Sequence, residues 1–135
     1  MIGLLIITHS QLARELLNAA RFIVGSIEAA GFISIDTAKD SKKLRNAIKQ
    51  KLDSLDQGNG VLVLVDMFGG TPSNLALSFL QKDKVEVLTG VNLPMVLAIA
   101  HNRKEKSLAE VADIAKSAGQ RSVSLASELL TPQEN

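Results

Sequence analysis

The chain has 135 residues, enough for one domain around a single core, and its net charge of +1 lacks the basic footprint of a nucleic-acid binder. Nearly half the residues are apolar, yet the aromatics are four Phe with no Tyr or Trp, so a globular core is expected without base-stacking platforms. There are no cysteines, which excludes disulfides, thiolate catalysis and Cys-based zinc sites. No run approaches the ~18–20 apolar residues of a membrane span, and Met1 leads into an apolar hexamer without a basic, signal-like flank. A cytoplasmic protein with no membrane insertion is expected.

Strands and helices alternate along the chain. Ile2 to Ile7 reads as a buried strand, and Thr8-His9-Ser10 turns it into a helical pattern over 10–24, with Leu12, Leu16, Ala19, Ala20 and Ile23 at helical spacing. Phe32–Ile35 predicts a second strand ended by Asp36, and Ser41 to Leu55 a second helix. The turn Gly58-Asn59-Gly60 leads into Val61–Val65, an unbroken apolar run of the kind found in a central strand covered on both faces. Asp66 ends it. Met67-Phe68-Gly69-Gly70-Thr71-Pro72 then forms a loop into a third helix, with Thr71 as N-cap and Pro72 at the first helical position.

Val85–Leu88 predicts a fourth strand, and Val91-Asn92-Leu93-Pro94 a second loop from which Pro94 opens a helix. Ser107 and Glu110 form a capping box for the last helix, with Gly119 as its stop. Arg121–Leu125 alternates polar and apolar residues, the pattern of a half-exposed edge strand, and 126–135 reads as a frayed C-terminal tail. One domain over residues 1–125 is expected: an α/β, doubly wound, mainly parallel sheet of order 2-1-3-4 with helices on both faces. In that order the reversal lies between the first and third strands, and ligands collect outside the carboxyl ends of strands at such a point.

Those carboxyl ends carry His9 and Asp66. A carboxylate bonded to one imidazole nitrogen fixes the tautomer and leaves the other nitrogen free as base or nucleophile. Each residue alone reads equally well as a strand-end cap; their convergence at the switch point favours function. Gly69-Gly70-Thr71-Pro72 adds backbone N–H groups, a hydroxyl and a helix N-terminus, an anion cradle suited to a phosphoryl group or an oxyanion. It is not a Walker loop, because no GxxxxGK[ST] occurs in the chain. Asn92 can lend a hydrogen bond at the rim, and His101 reads as a surface residue near a helix C-terminus. No third ligand for a metal is evident near His9 and Asp66, no cofactor is implied, and the lack of a G-x-S-x-G elbow sets aside a serine hydrolase using Ser10.

The Thr8-His9 strand end, Asp66-Met67-Phe68-Gly69-Gly70-Thr71-Pro72-Ser73-Asn74 and Gly90-Val91-Asn92-Leu93-Pro94-Met95 occur in an order and spacing that resembles the mannose family of enzyme IIA components of the bacterial sugar phosphotransferase system. The resemblance covers residues 1 to about 125. It implies that His9 accepts a phosphoryl group from the carrier protein HPr and passes it to an enzyme IIB. It also implies that Asp66 holds the proximal ring nitrogen and that Gly70, Thr71 and neighbouring backbone bind the phosphoryl oxygens. A homodimer whose C-terminal strand is swapped between subunits is implied as well, with no nucleic acid as partner. Ser10 departs from the Gly expected there; its hydroxyl is expected to cap the helix or touch the phosphoryl group. The chain stops at Asn135, so IIB is expected as a separate chain. An alternative use of the same site is a regulatory protein switched by His9 phosphorylation without a transport role. A dihydroxyacetone-kinase phosphodonor subunit ranks below both, since it usually lacks the aromatic-GGTP block.

Overall fold

The computed structural model describes residues 1–35, 40–67, 69 and 71–130, with Thr71 and Pro72 described by backbone alone. The elements run β1 (Gly3–His9), α1 (Leu12–Val24), β2 (Ala30–Ile35), α2 (Ser41–Leu55), β3 (Val61–Val65), α3 (Thr71–Leu77), β4 (Val85–Leu88), α4 (Leu93–Asn102), α5 (Leu108–Arg121) and α6 (Ala126–Leu130). Four strands pair in parallel in the order β2-β1-β3-β4. This is the expected topology, and it makes β1 and β3 neighbours although 51 residues lie between the end of one and the start of the other.

Alternation along the two central strands divides the core. Leu4 and Ile6 of β1 and Leu62 and Leu64 of β3 pack with Ala13, Leu17, Val96, Ile99, Val111 and Ala115, on the side of α1, α4 and α5. Leu5, Ile7, Val61, Val63 and Val65 pack with Leu44, Ile48, Leu52 and Ala76, on the side of α2 and α3. Both strands are therefore dry on both faces, and each fully buried Leu, Ile or Val contributes about 1.5–3 kcal/mol. Gly3 permits part of this closeness: a Cβ there would stand 2.5 Å from the Leu55 carbonyl oxygen at the end of α2.

At the amino end of the sheet Arg103 is 4% exposed. Its guanidinium donates to the carbonyls of Ile2, Ala29 and Glu28, tying the entries of β1 and β2 to the end of α4. Burial pulls its pKa below the ordinary arginine value, against the opposing charge of Glu28.

Several expectations shift in detail. β2 begins two residues before Phe32. Gly119 does not stop the last helix, which continues to Arg121; it lies inside α5, where a Cβ would stand 2.3 Å from the Met95 side chain, so its smallness serves packing against α4. The capping box of Ser107 and Glu110 forms as read. The expected edge strand over 121–125 does not form in the single chain. Arg121 ends α5, and Ser122 donates its hydroxyl to the Gly119 carbonyl at 2.7 Å. An alternating segment becomes a strand only against an open sheet edge, and here none lies beside it. Residues 126–130, expected as tail, form α6, a single short turn of helix; 131–135 lie outside the described residues. Asp36 also lies outside them.

Candidate functional site

β1 and β3 deliver His9 and Asp66 to the same end of the sheet. The register pairs Ile7 with Val65, so Asp66 begins its loop one residue beyond the last β1–β3 pair. Asp66 Oδ2 accepts from the His9 backbone N–H at 3.0 Å and lies 2.9 Å from His9 Nδ1, while Oδ1 accepts from the Met67 amide at 3.0 Å. One carboxylate oxygen thus holds both ends of the histidine and fixes the ring relative to its own backbone. The imidazole side chain is 42% exposed and the carboxylate 15%. The ring is held at Nδ1 and is partly exposed.

Burial pushes the Asp66 carboxyl up, but the His9 amide, the His9 imidazole and its charge, and the Met67 amide together outweigh that and hold it below the ordinary carboxylate value. An ionised carboxylate only accepts hydrogen bonds, so Nδ1 carries the proton and donates it. In the neutral ring this leaves Nε2 with its lone pair free. The site can therefore act as a nucleophile whose developing positive charge faces a fixed carboxylate.

Thr8 and Ser73, which sequence reasoning did not assign, complete the frame. Thr8 is fully buried; its Oγ1 accepts from Ala13 N–H at 2.6 Å in the first turn of α1 and donates to the His9 carbonyl at 3.2 Å. It performs the capping expected of Ser10, since Gln11 occupies the N-cap position with no side-chain bond. The signal was present: a Thr five residues ahead of a buried amide at a strand-to-helix corner. Ser10 instead adopts φ +54, is exposed, and donates its N–H to Ile35. A non-glycine residue in that left-handed region costs about 1–2 kcal/mol, which explains why Gly is the residue expected there. Ser73 is fully buried, and its Oγ accepts from Gly69 N–H at 3.0 Å, securing the loop after Asp66 with Gly69 at φ +93.

Phe68 and Gly70 lie outside the described residues, as does the Thr71 side chain; the backbone places Thr71 as the first residue of α3. Asn92 serves structure and not the rim: its Oδ1 caps α4 at Met95 N–H, and its Nδ2 donates to Gly119 O of α5 and to Ser122 Oγ just beyond it. His101 is exposed in the last turn of α4, as read. Among the described residues no group of three or more His, Cys, Asp or Glu could hold a metal, and no helix is long and apolar enough to cross a membrane.

Because the folded Asp66 titrates below its unfolded value, the stability it contributes is present above about pH 4 and is lost as the pH falls through the depressed folded value. Asp66→Asn should therefore lower the urea midpoint at pH 7, with the gap to wild type closing toward pH 3. A gap of equal size at both pH values would contradict the assigned charge.

Comparison with known proteins identifies the frame in which this pair sits. The model of the EIIA-man family, described as "PTS system fructose IIA component", matches residues 3–116. The mannose-specific EIIAB component of Escherichia coli (strain K12) is 36% identical over 97 residues, covering 71% of this chain but only 30% of that longer protein. The fructose-specific EIIA component of Bacillus subtilis (strain 168) is 30% identical over 131 residues, 96% of this chain and 90% of the relative. The crystal structure of phosphotransferase system component EIIA from Streptococcus agalactiae superposes with a TM-score of 0.84 at 26% identity, over 95% of this chain and 99% of that one. With the whole sheet, including the adjacent parallel strands β1 and β3 that lead to His9 and Asp66, inside the matched span, the chain belongs to the mannose family of enzyme IIA components of the sugar phosphotransferase system.

Proposed function

We propose that this chain is a cytoplasmic phosphocarrier that accepts a phosphoryl group from phospho-HPr on His9 and passes it to an enzyme IIB. The observation that supports this most is the 2.9 Å contact between His9 Nδ1 and Asp66 Oδ2 on a partly exposed ring. In the forward step the Nε2 lone pair attacks phosphorus, the N–P bond of the donor's phosphohistidine breaks, and the donor imidazole keeps the bonding pair. The His9 ring becomes cationic as it does so, and the ionised Asp66 stabilises it. Transfer of this kind asks for positioning and charge stabilisation more than covalent chemistry by the protein. The donor arrives with an activated N–P bond, so no nucleotide is needed.

The phosphoryl oxygens are assigned to the backbone around Gly70 and Thr71, to the Thr71 hydroxyl and to Ser10. Ser10 stands next to His9, exposed and in a strained conformation, which supports a role for its hydroxyl beyond folding. We infer a homodimer as well. Val123, Leu125, Leu129 and Leu130 are all more than 60% exposed, and β4 stands at the edge of the sheet with Val85 bridged to Gln81. Exchange of these segments between two copies would cover both.

Incubation with phosphoenolpyruvate, enzyme I and HPr should add one phosphate by intact mass, labile in acid and stable in alkali, and absent from His9→Ala. Phosphate persisting in His9→Ala would sink the assignment. Ser10→Gly should gain about 1 kcal/mol of stability by relieving the left-handed serine, while shortening the lifetime of the phosphohistidine. An unchanged lifetime removes Ser10 from the phosphoryl site.

A further inference from the structure

The near-zero net charge of the chain hides a divided surface. Helix α2 carries five of the 15 basic residues, Lys42, Lys43, Arg45, Lys49 and Lys51, and only Asp53 among the 14 acidic ones. The remainder of the chain is net negative, with ten basic residues against thirteen acidic. All five cations of α2 are exposed, whereas Leu44, Ile48, Leu52 and Leu55 form its buried face.

Helical spacing sorts these cations. Lys42, Arg45 and Lys49 lie three and four residues apart and share one flank. The contacts of Arg45 fix where that flank points: Nη1 donates to Ser78 Oγ at 2.9 Å, and the guanidinium lies 4.9 Å from the centroid of the Phe79 ring, both just beyond α3. The stripe therefore runs along the seam between α2 and α3. This is the side of the sheet on which Leu5 and Ile7 pack, and His9 continues their alternation. Its upper end is also the site end. β2 finishes at Ile35, which pairs with His9, and α2 starts shortly afterwards at Ser41. Two carboxylates stand at the ends of the stripe, Asp40, which accepts from the Lys42 amide, and Asp53, four residues beyond Lys49 on the same flank, so three cations face two anions along it.

We propose that Lys42, Arg45 and Lys49 form an electrostatic docking track for the phosphorylated face of the donor protein. The inference rests on the relay reading above and adds a preference between states of the donor. A phosphoryl group brings about 1.5–2 negative charges at neutral pH. The donor carries them on arrival and has lost them on departure, so a cationic track attracts the loaded protein and releases the spent one. The phosphate left on His9 then offsets the track's own potential, which further weakens rebinding. Lys42 to Lys49 spans about 10 Å along the helix, close to the ~8 Å range of unscreened charge at physiological salt. Attraction of this kind raises association rates by ~10–1000-fold and fades with salt.

The test measures transfer from purified phospho-HPr to the full chain, wild type against Lys42→Glu/Lys49→Glu, at about 20 mM and about 500 mM salt. Lys82→Glu/Lys84→Glu makes the same charge change beyond α3, at the opposite end of the sheet, as a control. The double variant in α2 should still take one phosphate on His9 at completion, with its KM for phospho-HPr raised about tenfold at low salt, kcat kept, and the difference gone at high salt. The control should match wild type. Full phosphorylation of His9 with an unchanged KM, or an equal rise in the control, overturns the docking track and leaves the relay standing. A wild type that takes no phosphate overturns the relay, and the track with it. An unchanged KM alongside stripe-dependent sedimentation with phosphatidylglycerol vesicles assigns the cations to a lipid surface and also overturns the proposal.

Discussion

A single carboxylate oxygen organises this protein. Asp66 Oδ2 takes the backbone N–H of His9 and faces its Nδ1, at 3.0 and 2.9 Å, so the position of the ring, its tautomer and the direction of its free nitrogen are settled together. Such a bond joins residues 57 apart in sequence. It exists only because β1 and β3 are adjacent in the sheet, and they are adjacent only because the chain reverses direction across the sheet between them. The dry packing of Leu4, Leu5, Ile6 and Ile7 against Leu62, Val63, Leu64 and Val65 then holds the two strand ends to a fixed separation.

Supporting contacts serve the same end. Thr8 ties the His9 carbonyl to the first turn of α1, and Ser73 ties Gly69 to α3. Both hydroxyls are fully buried and bonded, as buried polar groups must be if they are to stabilise a frame and not weaken it. Rigid positioning of this kind matters for a reaction in which the attacking nitrogen and the leaving nitrogen lie in line through phosphorus. At the far end of the sheet Arg103 secures the strand entries, so both poles of β1 are fixed by side chains from elsewhere in the chain.

The topology and the central pair were legible from the residues because their signals are local and strong. The unbroken apolar run Val61–Val65 announces a strand covered twice, and a lone His and a lone Asp each end a central strand. Reading was poorer where a residue's role depends on a distant neighbour. Gly119 looks like a helix stop, but the Met95 side chain decides its use. Asn92 looks like a rim donor, yet its amide clamps α4 to α5. Arg121–Leu125 has the alternation of a strand, and whether it becomes one depends on an edge that a single copy does not offer it. Ser10 was recognised as a departure from Gly; the left-handed backbone at φ +54 supplies the reason. The cation stripe on α2 is invisible in a net charge of +1 and appears only when the helix is given its faces.

The central claim is that Asp66 reserves Nδ1 and leaves Nε2 to react. It is tested most directly by nitrogen-15 NMR of the chain labelled at histidine, before and after phosphorylation by phospho-HPr. The account predicts a protonated Nδ1 and an unprotonated Nε2 in the free protein, with phosphorus coupled to Nε2 afterwards. Phosphorus coupled to Nδ1 of His9 would contradict it.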